Sequence, residues 1–211
     1  MIVNKSGKEL ECGVDEAGRG SFFGRLYVGA VIFSHEVELD PNIVKDSKKF
    51  CSRKTRARAR DYILEKCLYS HVAYVEPDVI DRDGVGVCVM KTMRQAIEGL
   101  EVKPDHLLID GDKFDGCGDI PYETIVGGDN KYFSIAAASI LAKVAHDEHI
   151  TMICQEHPEL AEYGLEKSMG YGTKVHRDAI KKLGCSQWHR KTFCENTLGL
   201  RKKVDPKLCL I

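Results

Sequence analysis

No run of apolar residues approaches the roughly 18 that a membrane-crossing helix needs, so a membrane protein is not expected. The opening stretch, MIVNKSGKELECGVD, has no apolar core of the kind a secretory signal carries, so export is not expected either. Proline is scarce, at six residues, and there is no Gly/Ser/Pro-rich linker, repeat or low-complexity tract. With nothing to divide them, residues 1–211 read as one compact unit with a helical C-terminal part from about residue 155. An excess of one charge is missing too: 31 Lys and Arg against 32 Asp and Glu give a formal net charge of −1. This excludes a strongly basic coat protein but leaves room for a local basic face. Cysteine is abundant, at nine, but no pair has C-x-x-C spacing, which argues against zinc ribbons and thioredoxin-type motifs. The thiols are expected to be reduced in a cytoplasmic protein. Cys67, Cys88 and Cys154 lie among apolar residues and are expected to be small core side chains.

What is present points to an α/β layer fold with a mixed central sheet flanked by helices. Strand-like runs cover Leu10–Val14, Leu26–Phe33, Leu68–Val75, His106–Asp110 and Tyr122–Val126. In the second, Gly24 and Gly29 leave room for a bulge or a close backbone approach. Val89, Met93, Ile97 and Leu100 recur at helical spacing and form one apolar stripe. Arg53–Cys67 reads as a helix with Ser52 as its cap. Ser134 precedes an Ala-rich segment that is apolar nearly all round in its first turns, as befits a helix buried in the centre of a domain. Thr173 is placed to cap a short helix with Val175, Ala179 and Leu183 on one face and Gly184 just past its end.

Three segments carry carboxylates at element ends. Gly13-Val14-Asp15-Glu16-Ala17-Gly18-Arg19-Gly20 puts two acids after an apolar strand and before two glycines. In a continuing strand Asp15 and Glu16 face opposite ways, so a shared site predicts a bend there. Leu107-Leu108-Ile109 reads as a strand buried on both faces, which puts Asp110 at its C-terminal end, where open α/β sheets bind ligands. Asp112 reads as a turn residue. Gly127-Gly128-Asp129-Asn130 lies just before the Ala-rich helix. Alone, the first segment reads equally well as a polar turn and the third reads better as one. Together they bring four carboxylates within reach of one site. Four such charges repel unless hard divalent cations neutralise them, and a pair of such ions suits phosphodiester hydrolysis.

The glycine and carboxylate signature at 13–20 resembles that of the ribonuclease HII family. Further blocks resemble the family in the same order: Asp46-Ser-Lys-Lys49, Leu108-Ile-Asp-Gly111, Gly128-Asp129, Ser134 to Val144, Gly170-Tyr171-Gly-Thr and His189-Arg-Lys-Thr-Phe193. The resemblance spans roughly residues 10–200 and implies a ribonuclease H-like α/β fold. It implies catalytic, metal-binding roles for Asp15, Glu16, Asp110 and Asp129, with two Mn²⁺ or Mg²⁺ ions. It also implies an endonuclease that cuts the RNA strand of RNA–DNA hybrids, and single ribonucleotides in duplex DNA, as a monomer without membrane attachment. Gly18, Arg19, Gly20, Lys48 and Tyr171 are implied substrate contacts, the Gly-Arg-Gly segment and the tyrosine lying at the nucleotide whose 2′-hydroxyl marks RNA. The sequence departs from the family at Ser21 and Phe22, where many members carry proline and a small aliphatic, at Gly84 in place of asparagine, and at Gly127 in place of lysine.

Residues 48–60, KKFCSRKTRARAR, hold seven Lys/Arg and no acid. Beside a phosphodiester site, part of this run is expected to meet phosphates, as is part of a second cluster at Arg190, Lys191, Arg201, Lys202, Lys203 and Lys207. His146-Asp-Glu-His149 reads as a solvated helix face, and Trp188-His189 as either a DNA contact or the rim of the core. Two other functions fit the bare residues. A carboxylate-pair glycosidase would work in EDTA, and a non-catalytic binding module would hold the hybrid without cutting it.

Overall fold

A computed structural model describes residues 1–44 and 52–200. Its elements are β1 (Glu11–Ala17), β2 (Leu26–Ile32), α1 (Arg53–Lys66), β3 (Tyr69–Val75), α2 (Pro77–Asp83), α3 (Val85–Glu98), β4 (His106–Asp110), β5 (Tyr122–Ile125), α4 (Phe133–Glu156), α5 (Leu165–Ser168), α6 (Lys174–Leu183) and α7 (Lys191–Leu198). The five strands form one mixed sheet in the order β3-β2-β1-β4-β5. β1, β2 and β3 pair antiparallel, while β1–β4 and β4–β5 are parallel. The sheet and its helical flanks are the α/β layer arrangement expected from the sequence.

The centre of the sheet is buried on both faces, so β2 is apolar throughout. On one face Val14, Val28, Leu107 and Ile109 pack with Val89, Met93 and Ile97 of α3, the stripe read from the sequence. On the other lies α4. A β-carbon on Gly13 would overlap the backbone of Ser134, and one on Gly29 the carbonyl of Ala138. Glycine in the strands and alanine in the helix thus let α4 lie tightly across the sheet. α1 packs outside α4, capped as expected by Ser52, whose side chain accepts from the Thr55 N–H. Among the described residues no helix is long and apolar enough to cross a membrane.

Several expectations need correcting. β1 does not stop at Val14. Asp15, Glu16 and Ala17 stay in register opposite Gly29, Val28 and Tyr27, and the turn comes at Gly18, where φ is +80°. α4 starts at Phe133, so Ser134 belongs to the helix rather than preceding it, and its hydroxyl is buried without a hydrogen-bond partner. The buried face of α6 is His176, Ala179 and Ile180, while Val175 and Leu183 are exposed. Thr173 does cap this helix, and Gly184 does end it. Cys88 is a core residue, but Cys67 and Cys154 are only half-buried. The described cysteines are all free thiols.

After α4 the chain stays helical. Ile150, Ile153, Leu160, Leu165, Ile180 and Cys194 close around Phe23, which follows the Gly18–Gly20 loop. α7 is capped from outside: Asp81 of α2 accepts from the backbone N–H of Lys191 at 2.7 Å and of Thr192 at 3.0 Å. These contacts dock the C-terminal helices against the loop that follows β1.

Candidate active site

The parallel register pairs Val14 with Ile109, so the next residues along the two strands are Asp15 and Asp110. Alternation places both on the α4 face. Asp15 interacts there with Ser139 of α4, and Asp110 Oδ1 accepts from the N–H of Gly128 at 2.7 Å. Glu16, one step further, points to the other face and meets Arg19 Nη1 at 3.3 Å. The two acids therefore leave the strand end on opposite faces, without the bend expected from a shared site, and both feel the charge of Asp110. Asp129 sits on a 3-10 turn, Gly128–Asn130, just before α4. It is 2% exposed and accepts from Asn130 Nδ2 at 3.0 Å. A side chain on Gly128 would crowd Ile135 and come within 3.3 Å of Asp110 Oδ1. Gly127 is left-handed at φ +65°, a conformation that suits glycine better than the lysine common in the family.

The electrostatics are those of crowded anions. Burial, then the charges of Asp110 and Glu16, push the Asp15 carboxyl well above the usual carboxylate range, although the Ser139 hydrogen bond opposes this. Glu16 is raised by burial, with Arg19 opposing. Among the described residues no three acidic, histidine or cysteine side chains already surround one point, so the carboxylates form an open cluster rather than a closed cage. Their chemistry fits hard divalent cations: all donors are oxygens, and their mutual repulsion falls when a cation binds.

Beside the carboxylates lies the Gly18–Gly20 loop. Ser21 pairs with Tyr171 through an isolated bridge, which brings the two family blocks together. The glycines around Tyr171 serve this approach rather than freeing its ring. A β-carbon on Gly170 would run into Ser21 Oγ and the Phe23 carbonyl, and one on Gly172 into the Phe22 ring. The half-buried Tyr171 ring lies 5.8 Å from the His146 ring and 5.1 Å from Lys143 Nζ. His146 is no solvated residue: it is fully buried beneath Gly18, where a β-carbon would strike it. Its neighbour Asp147 pairs with Arg56 and Lys143.

Part of the basic run on α1 is engaged within the protein. Arg53 meets Thr151 and the Glu166 carbonyl, Arg56 pairs with Asp147, and Arg60 pairs with Glu148 and Asp61. Lys54 and Arg58 remain exposed. Lys48, with the rest of Asp46–Lys49, lies outside the described residues, as do Arg201, Lys202, Lys203 and Lys207. Arg190, one member of the second basic cluster, is completely buried, while Trp188 packs at the rim against Phe23 and His157. Sequence reasoning also missed Ser139 and Lys143. The signal for both was spacing from neighbours on one face of α4. For Arg190 it was the company of Trp188, His189 and Phe193.

A mixed α/β sheet with acids at the ends of adjacent parallel strands, beside a glycine loop, is an arrangement that suits a hydrolase of the divalent-metal class. The sequence model described as Ribonuclease HII matches residues 12–196. A ribonuclease HII of Parabacteroides distasonis is 42% identical over 184 residues, covering 87% of this chain and 89% of that one. The crystal structure of the ribonuclease H2 from Pyrococcus horikoshii OT3 superposes with a TM-score of 0.75 at 25% identity, over 89% of this chain and 96% of that one. That of Bst-RNase HIII in complex with Mn²⁺ gives 0.66 at 17% identity, over 91% and 70%. The chain belongs to the ribonuclease HII family and is a metal-dependent nuclease with the ribonuclease H-like fold. Ribonuclease H activity, the cutting of RNA paired with DNA, goes with that membership, which displaces both the glycosidase and the non-catalytic module.

Proposed function

We propose that this enzyme is an endonuclease that cuts the RNA strand of RNA–DNA hybrids and also single ribonucleotides embedded in duplex DNA, leaving 5′-phosphate and 3′-hydroxyl ends. The observation that carries the reading is the meeting of Asp15, Glu16 and Asp110 at the ends of β1 and β4, beside a loop tied to Tyr171. Asp15, Glu16, Asp110 and Asp129 would hold the cations, Mg²⁺ or Mn²⁺, the latter being the ion in the ribonuclease HIII neighbour. Two such ions, when bound, supply an activated water and charge stabilisation for the leaving 3′-oxygen. Asp110 is held for this by the Gly128 N–H and Asp15 by Ser139 and the Glu16 N–H, 2.7 Å away. Burial at the sheet end keeps bulk water from screening these carboxylates.

The Gly18-Arg19-Gly20 loop would meet the ribose 2′-hydroxyl, with Tyr171 against the same nucleotide and Lys48 at a nearby phosphate. The chain would work in the cytoplasm as a monomer, with sheet and C-terminal helices as one catalytic unit. The test is a DNA duplex carrying one ribonucleotide, incubated with Mg²⁺ or Mn²⁺ and with EDTA. Cleavage at the ribonucleotide, abolished by EDTA and leaving a 3′-hydroxyl, is expected. Cleavage of continuous hybrids alone would restrict the proposal to that substrate.

A further inference from the structure

Arg190 is the largest side chain with no solvent exposure, yet among the described residues no carboxylate forms an ion pair with it. Its guanidinium is spent on backbone carbonyls. Nε donates to Gly24 O at 3.0 Å, and Nη1 donates to Gly18 O at 2.7 Å and to Arg19 O at 3.1 Å. Its own N–H donates to Phe22 O at 2.8 Å. Nη2 is buried without an acceptor. A buried cation without a carboxylate, with one donor unsatisfied, is a costly arrangement. Only the rigid fork of arginine reaches the two ends of the Gly18–Gly24 loop at once.

The consequence lies on the other side of two peptide planes. In a trans peptide the C=O and the following N–H point in opposite directions. Holding Gly18 O and Arg19 O inward therefore turns the N–H groups of Arg19 and Gly20 outward. Arg19 and Gly20 are exposed while Gly18 is buried, and no acceptor among the described residues takes either N–H. They form a pair of adjacent outward-facing donors just before Ser21, which bridges to Tyr171. Gly18 is needed for the same geometry, since its φ is +80° and His146 fills the space of a β-carbon.

We propose that Arg190 is a positioning residue for sugar recognition: by pinning the Gly18 and Arg19 carbonyls it aims the Arg19 and Gly20 N–H groups at the 2′-oxygen of the scissile ribonucleotide. The inference rests on the reading of this loop as the 2′-hydroxyl contact. What it adds is the buried side chain that orients the loop. The donors seek an acceptor at the 2′ position, which deoxyribose lacks, so Arg190 carries part of the discrimination between RNA and DNA from inside the core.

The experiment compares wild type with Arg190→Lys and Arg190→Met. Affinity is measured in EDTA for two duplexes of one sequence, one with a single ribonucleotide and one all DNA, and kcat and KM are measured in Mn²⁺ on the first. Wild type should prefer the ribonucleotide duplex. Arg190→Met should lose roughly tenfold of that preference per hydrogen bond misaligned, with a comparable fall in kcat, while all-DNA affinity stays within about twofold. Arg190→Lys, which keeps the charge and part of the donor set, should fall between. A staple with no role in recognition would lower the melting temperature without moving the preference, and that result overturns the inference. A wild type that neither prefers nor cuts the ribonucleotide duplex would instead overturn the reading beneath it. If neither variant folds, Arg190→Gln, which keeps one donor arm, is measured in the same way, and an unchanged preference overturns the inference.

Discussion

Asp15→Asn should make the metal-free protein more stable while destroying its activity. The Asp15 carboxyl is 5% exposed and is raised by burial, Asp110 and Glu16. A carboxyl whose folded pKa lies above its unfolded one binds more protons when folded. Its favourable contribution is present below the unfolded value of about 3.9 and is lost as pH rises through the folded value. Each unit of elevation costs about 1.4 kcal/mol at a pH above both values. In a chain of this size 1 kcal/mol moves the melting temperature by roughly 2–4 °C. Asparagine keeps the acceptor for the Glu16 N–H and removes the charge. In EDTA the variant should therefore melt at least about 2 °C above wild type near pH 8, with the gap closing toward pH 4. Divalent cations should reverse the order. Ligand at a hundred times its dissociation constant adds about 2.7 kcal/mol, a rise of roughly 5–11 °C in wild type that the variant should largely lose. Calorimetry in EDTA and in Mg²⁺ at pH 4, 6 and 8 checks this. A variant less stable than wild type in EDTA at pH 8, or a gap independent of pH, would refute the reasoning that these carboxylates repel until a cation binds.

Burial pushes His149 down to about 4 and His189 to about 3, and lowers His146 and His176 as well. Their neutral forms favour folding, so this contribution should fade as pH drops from about 6.5 toward 4, and replacing His149 by Gln should shallow the acid limb of melting temperature against pH. Arg56→Glu should destabilise the fold by about 1–3 kcal/mol, because buried Asp147 exchanges one of its cationic partners for a like charge, whereas exposed Arg58→Glu should leave melting unchanged and lower the salt slope of duplex binding by about 0.9 if it meets a phosphate. Tyr171→Ala should cut cleavage at a single embedded ribonucleotide by about a hundredfold and cleavage of a continuous hybrid much less, since the hybrid offers other registers. Equal losses on both substrates, with a large fall in melting temperature, would make Tyr171 a packing residue only.

Local pattern carried much of this protein into view. The apolar runs marked the strands, the helical spacing of Val89, Met93 and Ile97 marked the face of α3, and Ser52, Thr173 and Gly184 marked helix ends, because propensity, periodicity and capping act between near neighbours. The ordered glycine and carboxylate blocks identified the family. What neighbours in sequence could not decide was which face a residue takes and what it meets there. Asp15 and Glu16 looked as though they needed a bend to cooperate, but strand pairing with β2 keeps them extended and β4 brings Asp110 alongside. α6 buries the face with His176 rather than the one with Val175, since the core it meets is built by Phe23 and the end of α4. The arginines of α1 read as a phosphate track until the acids of α4 lay against them. Arg190 read as surface charge until the loop after β1 wrapped its carbonyls around it. Charge and polarity are properties of a residue, but whether they face water, a carbonyl or a substrate is set by chain segments up to about 170 residues away, as from Arg190 to Gly18.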